Sequence, residues 1–232
     1  MFSIVNKVWN PLVGCRHSCV YCWSRRVAKR LKRLCEKCYR FEPHIHYERL
    51  RPLRFRNPRI VFVVDMGDLF GSFIPDEWIM QVIDVIRKSK NVIPLFLTKN
   101  PKRYEGFLDV FPKNSILGAT IETNRYYSYI SNAPEPRERI RAMANLDWDK
   151  KFISIEPILD FDFHSFLEAL KEIRPIWVEV GYDNYGFVPL PEPSLVKTQA
   201  LISELSKFTK VNTKTLRNPR FSLLDIYASH SI

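Results

Sequence analysis

Short apolar runs recur along the chain, each followed by a stretch whose apolar positions fall at helical spacing. The runs cover residues 60–65 (IVFVVD), 92–98 (VIPLFLT), 115–121 (SILGATI), 151–155 (KFISI) and 176–180 (IWVEV). They are continuous rather than alternating, as in parallel strands buried on both faces. A run at 3–9 precedes them and a short one at 210–215 follows. The segments 23–34, 75–88, 101–111, 136–145, 163–173 and 193–208 read as helices. The segment 75–88 has Pro75, Asp76 and Glu77 at its start and Arg87 and Lys88 at its end, matching the helix dipole. Pro94 lacks a ladder donor and marks an irregularity inside its strand. Residues 124–132 carry no decisive period. The alternation predicts an α/β fold with a parallel sheet and right-handed crossovers. Six strand–helix units fall short of the eight that close a full barrel.

The first 60 residues depart from this rhythm, and they hold the charge. Of the net +11, they contribute fifteen Lys/Arg against three Glu, whereas the remainder carries 21 basic against 22 acidic residues. A basic excess so localised reads as a surface for a polyanion, most commonly nucleic acid. Arg25, Arg26, Arg30, Arg33, Arg51, Arg54 and Arg56 are the candidate contacts. The same charges also read as a solvated helix face and loop. Residues 40–59, with Pro43, Pro52 and Pro58, read as an extended, loop-rich excursion able to lie along phosphates. A chain of 232 residues with 46% hydrophobic content can bury one substantial core. The expectation is one domain over 1–232, carrying a basic Cys/His excursion at 35–59. No apolar run is long enough to span a bilayer, and MFSIVNKVWN lacks a signal-peptide pattern. A cytoplasmic protein without a membrane partner is expected.

All five cysteines lie within the first 38 residues, in two tight groups. A disulfide scaffold would spread them, so the grouping points to metal ligation in a reducing compartment. Cys15, Cys19 and Cys22 are spaced to hold three corners of a [4Fe–4S] cluster, leaving the fourth iron free for a small-molecule ligand. The competing reading is a zinc knuckle completed by His17. In the second group, Cys35, Cys38, His44 and His46 form a Cys2His2 set suited to tetrahedral Zn2+. A single residue between the histidines puts both on one side of an extended strand. These four also read as two free thiols and two surface histidines.

The Cys15–Cys22 spacing, with aromatic Tyr21 before the last cysteine, resembles the signature of the radical S-adenosylmethionine (SAM) superfamily. The run NPLVGCRHSCVYCWSRRVAKRL, followed by EPHIHYERL, MGDLF, LTKN, GATIET and SIEPIL, looks like a phage- and archaea-associated radical SAM family of unknown function. That family is a relative of the spore photolyase group. The resemblance implies a partial (β/α)6 TIM-like barrel with a cluster loop after the first strand. It also implies that the vacant iron binds SAM, that the cluster supplies the electron for cleavage, and that hydrogen is then abstracted from a substrate. A ferredoxin- or flavodoxin-like electron donor would be the partner.

Strand-end residues can be matched to the groups of SAM. Lys99 suits the carboxylate, as in the spore photolyase relatives, and Asp68 suits the amino group. Glu122 and Thr123 suit the ribose hydroxyls. Tyr21 looks like the residue that flanks the adenine, and Glu156 suits either SAM or substrate. Tyr182 and Tyr185 are candidate hydrogen donors. Spore-photolyase-like repair uses a cysteine thiol for that step, which here leaves only Cys35 or Cys38 and points away from thymine-dimer repair itself. The reading is a radical SAM enzyme acting on a nucleic acid or nucleotide-like substrate. A zinc-dependent nucleic-acid-binding protein, or a radical SAM enzyme on a peptide or small metabolite, are the alternatives.

Overall fold

The computed structural model describes residues 2–221, so the outermost ends of the expected 1–232 unit lie outside the described residues. In chain order the elements are β1 (Lys7–Trp9), β2 (Leu12–Val13), α1 (Trp23–Ala28), α2 (Glu36–Arg40), β3 (His44–Ile45), β4 (Arg54–Val63), α3 (Asp76–Arg87), β5 (Lys90–Thr98), β6 (Ile116–Thr120), α4 (Pro136–Asn145), β7 (Lys151–Ile155), α5 (Phe163–Ile173), β8 (Trp177–Gly181), α6 (Leu195–Leu205) and β9 (Lys210–Lys214). Seven strands form one sheet in the order β1-β4-β5-β6-β7-β8-β9, every pair parallel. Each new strand joins the same edge, so the sheet curls in one sense and makes an open, partial (β/α) barrel.

Alternation along the strands divides the core in two. Val61, Val63, Phe96, Leu117, Ile153 and Val178 face outward and pack with Ile79, Ile83, Leu167, Leu170 and Leu201 of the helices. Phe62, Leu95, Ile116, Phe152 and Trp177 face inward and surround Phe2 and Val5. Phe2 stacks on Phe62 at 5.6 Å and meets Phe152 edge-on at 5.0 Å, filling the barrel interior. The edge strands β1 and β9 do not pair. Across the gap, Asn212 reaches Ser3 at 3.4 Å and the Lys214 ammonium lies 5.7 Å from the Phe2 ring.

Three expected elements differ. The helix expected at 23–34 stops at Ala28 and continues as a 3-10 turn over Lys29–Leu31, where closely spaced like charges disfavour further α-helix. The stretch 101–111 is a 3-10 helix over Pro101–Phe107, followed by turns, with Gly106 in its last turn disfavouring α-helix. Strand β4 reaches back to Arg54, inside the segment expected to be loop, with a register shift between Arg54 and Arg59. Pro58 is tolerated there because only residues 61–63 of β4 pair with β1.

Candidate functional site

Strand β1 ends at Trp9, and residues 10–22 form the loop that carries the first cysteine group. Its approach is fixed by a two-stranded ribbon in which Leu12 pairs with Ile45 and Val13 with His44. Gly14 follows at φ +103°, and a Cβ there would collide with the backbone of Glu42 and Pro43. The Cys15 N–H donates to Phe41 O at 3.3 Å, so the loop leans directly on the second Cys/His segment.

Cys15, Cys19 and Cys22 are each partly exposed and all three line one cavity of about 390 Å³. Its walls come from successive strand ends: Asp65 and Asp68 after β4, Thr98 and Lys99 at β5, Thr120 on β6, Ser154 and Glu156 at β7, and Tyr182 to Tyr185 after β8. Phe2, Phe62 and Leu97 close the bottom. Main-chain N–H groups of His17 and Arg25 donate to the sulfurs of Cys15 and Cys22, each at 3.4 Å, and Cys19 Sγ lies 3.2 Å from Ser131 Oγ. Burial pushes the Cys15 and Cys22 thiols up from their ordinary range, and the Asp68 carboxylate adds to this at Cys15. Arg25 donates to Cys15 O and Ser18 Oγ at 3.4 Å, while its buried Nε finds no acceptor among the described residues.

Two buried carboxylates brace the wall of the cavity. Asp68 accepts from His17 Nε2 at 2.9 Å, Thr98 Oγ1 at 2.6 Å, Lys99 N at 2.9 Å and Phe70 N at 3.0 Å. Burial opposes its charge, but these donors outweigh that and keep its carboxyl below the ordinary range. Glu122 accepts from Tyr21 and Lys99 through one oxygen and from Arg139 through the other at 2.6 Å. The Lys99 ammonium also donates to the Tyr21 hydroxyl at 2.7 Å. Tyr21 and Lys99 line the cavity, whereas Glu122 stands behind them. Thr123 donates to Asp160 O at 2.6 Å and lines a separate small cavity beside Glu122.

On the far wall, Glu156 faces Lys214 at 3.7 Å, and burial raises its carboxyl above the ordinary range despite that cation. Tyr182 is buried and bonded to Pro193 O and Thr198, whereas Tyr185 is half-exposed at the mouth. Arg25 and Arg26 lie on α1 beside the mouth, with Arg30 and Arg33 on the exposed turn that follows. Arg54 and Arg56 are elsewhere. Arg54 pairs with Lys90 at the amino end of the sheet, and a strand of this length puts it roughly 30 Å from the cavity end. Arg51 is exposed on the segment leading to it. The arginine set is therefore divided between the two ends of the barrel.

Cys35, Cys38, His44 and His46 converge, with all four ligand atoms within 4.8 Å of one another. His44 Nε2 lies 3.4 Å from both sulfurs and 3.0 Å from His46 Nε2, and Cys38 Sγ lies 3.2 Å from His46 Nε2. These are about the edge lengths of a tetrahedron built on zinc–nitrogen and zinc–sulfur bonds. His44 Nδ1 is 2.7 Å from Glu42 O and His46 Nδ1 is 2.9 Å from Glu48. With Nδ1–H donating outward, both Nε2 lone pairs face each other, an arrangement that a cation between them relieves. Burial and the Arg49 guanidinium hold the His46 ring neutral, and burial pushes the Cys38 thiol up to about 12. This set can chelate a metal ion. Among the described residues it is the one Cys/His/Asp/Glu group gathered so tightly; Cys15, Cys19 and Cys22 are not drawn in to the span of a single ion.

The sequence reading did not select His17 as the partner of Asp68, nor Arg139 and Ser131. Ser131 and Arg139 sit more than a hundred residues from the cysteine loop, and nothing in their local pattern announces it.

Residues 2–181 match the family described as "Protein of unknown function (DUF5131)". The chain belongs to this family. Comparison with curated protein sequences finds no match. Among solved structures, spore photoproduct lyase complexed with dinucleoside spore photoproduct superposes with a TM-score of 0.56 at 12% identity, over 93% of this chain and 62% of that one. A mutant of the same lyase with bound AdoMet and dinucleoside spore photoproduct gives 0.52 at 12% identity, over 94% of this chain and 62% of the other. SuiB of Streptococcus suis bound to S-adenosylmethionine gives 0.50 at 10% identity, over 90% of this chain and 50% of that one. The chain thus spans about 62% of the length of the lyase it resembles. At these identities the likeness is one of fold alone.

Proposed function

We propose that the chain is a radical SAM enzyme in which Cys15, Cys19 and Cys22 hold a [4Fe–4S] cluster. The cavity behind them would take SAM and a nucleic acid or nucleotide-like substrate. The observation that carries this reading is the meeting of three partly exposed thiols and successive strand-end polar groups on one cavity at the carboxyl end of a partial barrel. The residues suit a cluster better than one zinc ion. Their sulfurs are not gathered to single-ion distance, and His17, the fourth ligand a knuckle would need, is committed to Asp68. Main-chain N–H donors already aim at two sulfurs, and the orphan Arg25 Nε lies in the same loop, favouring an anionic occupant. When bound, cluster and SAM together supply one-electron cleavage of the sulfonium and hydrogen abstraction.

The chain's own residues do the holding. We assign Tyr21 and Lys99 to the cofactor, because both line the cavity and their polar ends are fixed by Glu122. Asp68, Glu122 and Thr123 act as positioning residues, since their oxygens are occupied by protein donors or backbone. Glu156 is assigned to the substrate side. Cys35, Cys38, His44 and His46 are assigned to Zn2+, which leaves no free cysteine in the cavity as a hydrogen donor. The basic residues of α1 and the turn after it, beside the mouth, support a polyanionic substrate, and the dinucleoside in the lyase structure is in keeping with a nucleotide-like one. We take the family to be the phage- and archaea-associated group whose motifs the chain resembles, working in the cytoplasm with a ferredoxin- or flavodoxin-like donor.

The test is iron, sulfide and electron paramagnetic resonance on anaerobically purified protein. About four irons per chain, with a reduced-cluster spectrum that changes on adding SAM, is the expected result. A colourless protein with zinc at the first cysteine group would overturn it.

A further inference from the structure

At the rim of the cavity, three large aromatic side chains are exposed where burial would be the default. Trp23 is 38% exposed, Tyr185 51% and Phe187 36%. Tyr185 and Phe187 stack face to face, ring centroids 4.9 Å apart and planes within 10°. The Arg26 guanidinium lies 3.6 Å from the Phe187 centroid. The order Arg26, Phe187, Tyr185 is therefore a continuous stack whose inner member lines the cavity, with Trp23 also on its lining.

The stack is exposed but built. Gly186, at φ +64°, turns the chain so that residues 185 and 187 present their rings in register, and its N–H donates to buried Asp183. Arg217 donates to Asp183 O at 2.8 Å and forks onto Glu192 at 2.7 Å through both nitrogens. Arg220 donates to Asn184 O at 3.1 Å. A loop braced in this way keeps two aromatic rings in solvent at little ordering cost when a flat ligand arrives. Beside it, α1 and the following turn carry Arg25, Arg26, Lys29, Arg30, Lys32 and Arg33 and contain no acidic residue. Flat rings next to an unrelieved row of cations complement a base joined to phosphates.

We propose that the Arg26–Phe187–Tyr185 stack is a platform for an unpaired nucleobase, and that the adjoining basic turn follows the phosphates of the same single strand. A neighbouring nucleotide is thereby led into the cavity. This rests on the nucleic-acid reading above and narrows it to single strands, because bases inside a duplex are stacked on each other and cannot reach a side-chain face.

Fluorescence anisotropy on the full-length protein tests it, with labelled single strands of about 12 nucleotides, as DNA and as RNA, against a blunt duplex, an abasic strand and an acidic peptide of equal charge. A single strand should bind best, with the DNA and RNA arms naming the sugar preferred. Tyr185→Ala should weaken it roughly 5- to 150-fold while Tyr185→Phe keeps it, and an abasic strand should bind wild type as weakly as the intact strand binds Tyr185→Ala. Thermal denaturation of both variants verifies the fold. Equal binding of the abasic strand, the duplex or the peptide, or no effect of Tyr185→Ala, would overturn the platform. SAM cleavage is assayed separately on the same samples. Base-dependent binding without cleavage would keep the platform and sink the radical chemistry, whereas cleavage without base-dependent binding would do the reverse.

Discussion

Two cations and a phenol converge on the buried Glu122 carboxylate, and that convergence sets how this wall of the cavity responds to acid. Burial by itself would raise this carboxyl, but Arg139, Lys99 and Tyr21 outweigh it and hold it well below its ordinary value of 4.5. The folded state then keeps the charge while the unfolded chain takes up a proton near 4.5. The stabilisation is present in full above that pH and is lost as pH falls below it toward the folded value. Asp68, lowered by its donors, acts in the same direction. A Tm measured across pH should drop below about 4.5 in wild type and drop less steeply in Glu122→Gln; equal slopes would contradict the assignment. Glu122→Ala, which strands the buried Arg139 and leaves the partly buried Lys99 without its carboxylate, should cost about 3 kcal/mol in denaturant unfolding. Lys99 and Glu122 stood out in the sequence as polar residues closing apolar strands, but that pattern did not show that Glu122 would sit behind Lys99 and Tyr21 instead of facing the cavity. Arg139 was not, since one arginine on a helix gives no sign of pointing inward.

Among the elements, the β2–β3 ribbon links the two cysteine groups. His44 pairs with Val13 in it, His46 N donates to Pro11 O at 2.7 Å, and the ribbon leads through Gly14 directly to Cys15. Metal at Cys35, Cys38, His44 and His46 would therefore stiffen the support of the loop that carries Cys15, Cys19 and Cys22 without touching the cluster proposed there. Cys38→Ser should lose zinc yet still assemble iron, and should release that iron faster to a chelator than wild type does. Unchanged release would show the two sites to be independent. Gly14→Ala, with both a left-handed backbone angle and a backbone collision against it, should destabilise by more than about 2 kcal/mol. The ligand set itself was readable, because His-x-His on an extended strand places both rings on one side. The short elements around it were not: α2 and β3 are too brief for any period to register, and the start of β4 is written in arginine and proline instead of apolar residues.

For the whole molecule, an open barrel needs something to fill its interior and something to cover its gap. Phe2 does the first, against Phe62, Phe152 and Trp177, and the Ser3–Asn212 and Phe2–Lys214 contacts partly bridge the second. Phe2→Ala should cost about 3–5 kcal/mol. The parallel strands and long helices were legible from continuous apolar runs, and β7, α4 and α5 fall where the pattern put them. The division of the basic residues between the barrel's two ends was hidden, because strand direction, not composition, decides which end an arginine occupies. Chemistry at the cavity end is the claim on which the functional account rests. Its most direct test is release of 5′-deoxyadenosine from SAM by the reduced, anaerobically reconstituted protein, beside the Cys15→Ala, Cys19→Ala and Cys22→Ala variants. The account predicts release by wild type and none by any of the three; no release from a wild-type protein carrying its full iron, or equal release from a variant, would contradict it.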